Sequence, residues 1–116
     1  MSAIDTTQSV LEAAMRGATL RQTLLTNNLA NADTPGYQPQ DVNFQAQLAS
    51  AVSTGAPLER LSFQTSTEAG ATGPNGNAVN SDQQSANLAE NGLLYDSLAE
   101  ILTAHNSILE YAMGTK

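Results

Sequence analysis

The chain has 116 residues, with eleven acidic and four basic side chains, a net charge of −7 and no cysteine. That length holds one domain at most, and an acidic balance without a Lys/Arg cluster disfavours nucleic acid and anionic membrane surfaces as partners. The missing cysteine removes disulfides, thiolate metal sites and cysteine nucleophiles together. Aromatic residues make up only 4% of the chain, and much of the 41% apolar content is alanine. Alanine favours helix and close helix approach over a thick core. Met1 to Gln8 has no basic segment followed by an apolar run, so no secretory signal peptide is expected. No apolar stretch approaches the ~20 residues that span a bilayer.

Residues 4–32 are predicted as a long first helix. Ile4, Leu11, Ala18, Leu25 and Ala32 recur at heptad spacing; Met15 and Leu29 extend the stripe on one side, Val10 and Leu24 on the other. A stripe of this kind must bury itself against another helix, and Leu11, Ala18 and Leu25 are its candidate packing residues. Gly17 costs ~1 kcal/mol relative to alanine in mid-helix. Beside Ala13, Ala14 and Ala18 it either permits close approach by a partner helix or is simply tolerated.

The run Asn27 to Tyr37 closes this helix. Thr34 precedes Pro35 and is pushed out of the α region, so the helix is expected to stop at Asn31 to Asp33. Pro35 suits the second position of a β-turn, and Gly36 accepts the positive φ of the third position of a type II turn. Asn27, Asn28 and Asn31 are poor helix formers. Their amides suit backbone groups left open at a helix end, or a neighbouring chain.

Residues 37–80 differ in character. Phe44, Leu48 and Val52 at four-residue spacing allow a short helix within Asp41–Val52. Leu61–Thr65 alternates and allows a short strand. Ala69–Asn77 reads as a Gly/Asn-rich loop.

Residues 81–113 are predicted as the second long helix. Leu88, Tyr95, Leu102 and Leu109 form one heptad series, and Asn91, Leu98, His105 and Ala112 a second, three residues on. Leu94, Ile101 and Ile108 broaden the stripe. With Leu88 at position a, the acids Asp82, Glu90, Asp96, Glu100 and Glu110 fall at b, c or f, away from an a/d seam. They present either a solvated face or an interface for a basic partner. Ser81 with Gln84 suggests a capping box, and Gly114 a stop.

The fold class expected is therefore mainly α. Two long terminal helices form an antiparallel coiled-coil-like hairpin, joined by a mostly irregular insert. Such a thin hairpin leaves Val10, Leu24, Leu94, Ile101 and Ile108 as surplus apolar flank. Small chains of this kind need a staple or a neighbour to complete their core.

No catalytic, cofactor-binding or metal site is expected. His105 is the single histidine and lies on the apolar seam, where a structural role is the simpler reading. The acid pairs Asp96/Glu100 and Glu59/Glu68 are isolated. Gly73–Asn77 lacks the lysine and following helix of a phosphate loop.

The string Asn28-Leu29-Ala30-Asn31-Ala32-Asp33-Thr34-Pro35-Gly36-Tyr37 resembles the signature of the bacterial flagellar rod and hook protein family. Asn28, Asn31, Thr34, Pro35, Gly36 and Tyr37 carry that turn motif. The insert is too short for the large β-rich inserts of hook and distal rod proteins, which restricts the resemblance to the short proximal rod members. Three further segments resemble one proximal member specifically. Asp41-Val42-Asn43-Phe44 resembles its Asp-Val-x-Phe element, and Gly76-Asn77-Ala78-Val79-Asn80 its Gly-Asn-x-Val-Asp element. Leu88 to Tyr95 resembles its Leu-Ala-Glu-Asn-x-Leu-x-Tyr element. Ser81 to Ala86 departs by being more polar than usual, which leaves the start of the second helix open. A FlgC-type proximal rod subunit is the alternative; a helical-hairpin export chaperone or adaptor is another, and would not need the turn.

The resemblance implies a structural subunit, not an enzyme. Residues 1–36 would be the N-terminal helix of the inner rod core with its turn, 37–80 the insert, and 81–116 the C-terminal helix of that core. The helix-packing positions would be Leu11, Ala18, Leu25, Leu88, Tyr95, Leu98, Leu102 and Leu109. The resemblance further implies helical polymerisation into a hollow shaft that passes torque from motor to hook. Implied partners are copies of the chain, other rod proteins (FlgC, FlgF and FliE-like), the MS-ring and the export apparatus. No nucleic acid and no lipid-embedded segment is implied. The place would be the periplasmic rod, reached by type III export without a cleaved signal.

Overall fold

The structure, a computed structural model, describes residues 3–68 and 78–114. Helix α1 spans Ala3–Ala30, strand β1 Gln40–Asp41, helix α2 Phe44–Thr54, a 3-10 helix Leu58–Arg60, strand β2 Ser66–Thr67 and helix α3 Ser81–Gly114. The fold is mainly helical, with the long helices at the two ends of the sequence, as the periodicity predicts. Asn28 meets Gln84 and Ala18 meets Asn91, so α3 returns antiparallel along α1. The result is a slender body of 65 × 27 × 15 Å.

Helix α1 ends where the asparagines begin to serve the chain end. The Asn31 amide donates to the Asn27 carbonyl at 2.9 Å, and the Thr34 hydroxyl donates to Asn31 Oδ1 at 3.1 Å. A residue whose side chain bonds nearby backbone competes with the helix ladder, which places the last helical residue just before Asn31.

The insert is more ordered around α1 than its composition suggests. Asn43 caps α2, its Oδ1 accepting from the Ala46 amide. Phe44, Leu48 and Ala51 are buried, whereas Val52 is 46% exposed. The expected 44/48/52 face is thus corrected to 44/48/51. Seven residues bring a helical side chain back to within about 20° of its start, and eight overshoot by about 80°. The strand also lies later than predicted. Leu61 and Phe63 turn toward the core, and pairing occurs at Gln40↔Thr67 and Asp41↔Ser66, antiparallel to β1. The Gly/Asn-rich run Ala69–Asn77 lies outside the described residues.

The close approach anticipated at Gly17 comes from α2, not from the long partner helix. A Cβ on Gly17 would stand 2.5 Å from Phe44 Cγ. Ala13, Ala14 and Ala18 complete this small-residue floor, on which Val42, Phe44, Leu48, Ala51 and Leu58 form the apolar core. The Phe63 ring meets Phe44 edge-on, with centroids 6.1 Å apart. Polar contacts stitch the insert along α1 as well. Ser9 donates to Glu59, Arg16 donates to the Leu58 carbonyl at 2.6 Å, and Arg21 pairs with Asp41.

The start of α3 corrects the expected capping box. Asn80 is the cap, with its Oδ1 accepting from the Gln83 amide at 3.1 Å. Gln84 does not reach back to Ser81; it turns into the seam toward Asn28. Gly114 is still helical, and the expected stop there cannot be placed further, since residues 115–116 lie outside the described residues.

Candidate functional site

The turn after α1 has the predicted geometry. The Tyr37 amide donates to the Thr34 carbonyl at 3.2 Å, and Gly36 has φ +77°. Pro35 and Gly36 therefore occupy the two central positions of a turn with positive φ at the third residue. Thr34, Pro35 and Gly36 are exposed and Tyr37 is half-buried. No atom lies within 4 Å of a Cβ built on Gly36, so a side chain there meets backbone strain but no clash. Gly36→Val is expected to destabilise by about 1–3 kcal/mol, the cost of forcing a β-branched residue into this region. Gly36→Asn should cost less, because asparagine tolerates it. Urea unfolding followed by circular dichroism measures both, and equal stability for Val and wild type would show that the turn does not hold this geometry in solution.

Asn28 joins the turn to the seam. It is fully buried, and its amide grips the backbone of Gln40 at two points. The Gln40 amide donates to Asn28 Oδ1 at 3.0 Å, and Asn28 Nδ2 donates to the Gln40 carbonyl at 2.7 Å. One side chain thus serves β1 as a neighbouring strand would. Nδ2 also donates to Gln84 Oε1 at 3.0 Å, reaching α3. Further down the seam, Asn91 Nδ2 donates to the Ala18 carbonyl and to Gln22 Oε1. Asn91 Oδ1 is buried with no partner.

Asn28, Gln84 and Asn91 are the buried polar side chains of the described seam, and α3 buries no apolar side chain fully. Of the predicted packing residues, Leu11, Ala18 and Leu25 are buried on α1. Leu88, Leu98, Leu102 and Leu109 are half-buried, and Tyr95 is exposed beside the recess around Asn91. Polar residues at inward heptad positions set register at a cost in stability. Gln84 lies one heptad before Asn91 in the second series, so extending that series back by one repeat would have found it.

Asp41 grips Arg21 with both oxygens, at 2.8 and 3.1 Å. Hydrogen bonding to Asp41 raises the Arg21 pKa above its ordinary value, against the opposing effect of burial. Glu59 titrates below the usual carboxylate range, first through its own backbone amide and then through the Ser9 hydroxyl.

The acids Asp82, Glu90, Asp96, Glu100 and Glu110 are all exposed on α3. Among them lie exposed Leu93, Ile101, Ile108, Tyr111 and Met113. The surplus flank predicted at Ile101 and Ile108 is there, while Val10, Leu24 and Leu94 are partly covered by the core. Leu93 and Tyr111 lie off the predicted stripe, on the face opposite the seam, and the heptad pattern gave no signal for them. Among the described residues, no group of three or more His, Cys, Asp or Glu is placed to hold a metal ion. No described helix is long and apolar enough to cross a membrane.

The sequence profile of the flagella basal body rod proteins matches residues 10–38, which run from the buried stripe of α1 through the turn. Flagellar basal body rod protein FlgB of Bacillus subtilis is 30% identical, aligned over the whole of both chains. The FlgB of Yersinia enterocolitica is 31% identical over 71% of this chain and 74% of its own. That of Escherichia coli is 32% identical over 65% of this chain and 69% of its own. The match to FlgB over the whole of both chains agrees with the resemblance carried by the turn and the paired terminal helices. The chain belongs to the flagellar basal body rod protein FlgB family.

Proposed function

We propose that this chain is a subunit of the proximal rod, polymerising helically with copies of itself and with other rod components into the hollow shaft that carries torque from motor to hook. FlgC, FlgF and FliE-like proteins, the MS-ring and the export apparatus are its neighbours in this reading. Residues 1–36 and 81–116 supply the inner core of the rod, and 37–80 the insert against it. Its place is the periplasmic part of the basal body, reached by type III export without a cleaved signal. No catalytic role is assigned.

Family membership supports the rod, and the observation that carries assembly is α3. A 34-residue helix that buries no apolar side chain fully, while leaving Ile101 and Ile108 exposed, needs further chains to cover it. The test is complementation of a strain lacking the native rod gene, read as swimming and as rods in isolated basal bodies. Normal export with no rod and no swimming in the complemented strain would overturn this reading.

The same strain separates seam from surface. Leu98→Asp and Leu102→Asp put a carboxylate at half-buried positions, at about 1–3 kcal/mol each. Both should abolish swimming. Glu100→Gln removes one exposed charge among several and should swim like the parent. The measurement is soft-agar spreading at matched secreted protein levels. A strong defect from Glu100→Gln would place that residue inside an interface.

A further inference from the structure

A recess of about 420 Å³ opens between α1 and α3, with Thr19 and Thr23 in its wall from one helix and Gly92, Tyr95 and Asp96 from the other. Asn91, 1% exposed, lies at its base. Asn91 Nδ2 is engaged by the Ala18 carbonyl at 2.8 Å and by Gln22 Oε1 at 2.9 Å. A carbonyl can only accept, so the amide cannot turn over, and its free atom is an acceptor. That atom, Oδ1, is buried without a partner. A buried acceptor left unmet costs stability, and such groups in folded chains nearly always find a donor. The described residues of this chain do not supply one.

Gly92 is a second, independent mark of the same place. Glycine is a weak helix former, yet Gly92 lies well inside the 34-residue α3. A Cβ built on it meets no atom within 4 Å, so packing within this chain does not require the missing side chain. At Gly17 the reverse holds, since Phe44 fills that space. What Gly92 leaves open is the wall of the recess.

The lining sets the chemistry of an occupant. The Thr19 hydroxyl donates to the Met15 carbonyl and the Thr23 hydroxyl to the Thr19 carbonyl, so both oxygens have only lone pairs left to offer. Asp96 is the one charged residue of the lining, and it makes no ion pair among the described residues. The uncharged Gln22 Nε2 and Tyr95 hydroxyl leave the balance with the acceptors. An incoming group must therefore donate, and the carboxylate favours one that is positively charged. The acceptors stand on separate sides, in the two helix walls and at the base. A primary ammonium presents three donors around a compact charge and suits that arrangement, whereas the planar fork of a guanidinium suits paired oxygens.

We propose that this recess binds a primary ammonium group, the end of a lysine side chain reaching in from an adjoining chain, with Asn91 Oδ1 as its deepest acceptor and Asp96 as its counter-charge. The source of the lysine rests on the reading of the chain as a rod subunit; the site itself does not.

The test has two arms, both on the full chain. In the first, isotope-labelled protein is titrated at constant ionic strength with n-butylammonium, n-butyltrimethylammonium and 1-butanol, and the nuclear magnetic resonances of the Gly92 backbone and the Asn91 side chain are followed. n-Butylammonium should shift both saturably, with a Kd on the order of 10 mM for so small a probe. The quaternary ion has charge but no N–H, and the alcohol a donor but no charge; each should bind at least about fivefold more weakly. Asp96→Asn should weaken n-butylammonium by about fivefold or more. Absence of a saturable shift would leave Asn91 Oδ1 to water and overturn the proposal. Equal binding of either control, or unchanged affinity in Asp96→Asn, would overturn it as well.

The second arm places Gly92→Leu in the complemented strain. Its side chain enters open space within this chain and replaces a weak helix former, so the purified variant should melt no lower than wild type. It fills the recess, however, and rods should be lost at matched secreted levels. Normal rods from Gly92→Leu would overturn the lysine contact even where n-butylammonium binds. Should Gly92→Leu melt lower than wild type, Asp96→Asn decides in its place, because it keeps the size of an exposed side chain. A full rod yield from Asp96→Asn then overturns the contact, and a reduced yield supports it. If the wild-type chain itself builds no rod, the rod reading fails alone, and the titration still decides whether the ammonium site exists.

Discussion

Asn28→Ala is expected to destabilise the folded chain by about 3 kcal/mol, the largest effect of any polar substitution on the seam. The residue is wholly buried, and its amide serves both the amide and the carbonyl of Gln40 as well as Gln84. Alanine deletes these bonds, leaving Gln84 Oε1 buried without its donor and the part-buried backbone groups of Gln40 without their partner. Orphaned buried groups cost more than the net worth of the bonds they formed. Asn28→Asp should be no better near neutral pH. The oxygen replacing Nδ2 would face the Gln40 carbonyl and Gln84 Oε1, two acceptors, with a charge held out of water. Burial raises the pKa of such a carboxyl, so the folded state binds its proton more tightly than the unfolded state. The deficit relative to wild type should therefore shrink as pH falls and the acid becomes a donor. Urea titrations at several pH values measure both substitutions. Wild-type stability for Asn28→Ala would mean that this amide is not the link between turn, insert and α3.

Gly17→Ala should also destabilise, although the same change in most exposed helices stabilises by about 1 kcal/mol. The new methyl would lie 2.5 Å from Phe44 Cγ and 2.6 Å from Phe44 Cβ and Cδ2. Phe44 cannot swing clear, because it is buried between the α1 floor and the Phe63 ring. Overpacking of this kind costs about 1–3 kcal/mol, and the severity of this contact puts the net loss near the upper end, about 2 kcal/mol after the helix gain. Combining Gly17→Ala with Phe44→Ala should cost less than the two single changes summed, because alanine removes Cγ and Cδ2, two of the three crowding atoms. Additive losses in that double-mutant cycle, or a stabilised Gly17→Ala protein, would show that α2 does not press on Gly17 in solution.

Much of the plan was legible from residue spacing. The heptads of Leu11, Ala18 and Leu25 marked a buried face on α1, and Thr34-Pro35-Gly36-Tyr37 marked the turn with its positive φ. These features are local. Helical periodicity, the restriction before proline and the freedom of glycine act within a few residues, so composition and order suffice to read them. Val52 was placed on the wrong side because four-residue spacing drifts from the helical period over two turns. The cap moved from Ser81 to Asn80 because Gln84, needed for a capping box, is engaged by Asn28 across the seam. Leu93 and Tyr111 leave no mark in the heptad pattern, since an apolar residue facing solvent belongs to no buried stripe.

By itself, then, the order of residues determined two long helices, the stop at Asn31, the turn at Gly36 and an acidic outward face on α3. Only the tertiary structure decided what each face meets. It gave Gly17 to Phe44, the Asn28 amide to the backbone of Gln40, and the deepest seam positions of α3 to Gln84 and Asn91 in place of its leucines. The reason is that burial and hydrogen bonding join residues far apart in the chain. Asn28 and Gln84 are separated by 56 positions, Ala18 and Asn91 by 73. No local pattern specifies which buried amide will find which carbonyl; that choice is settled when the insert packs on α1 and leaves α3 the polar remainder of the seam.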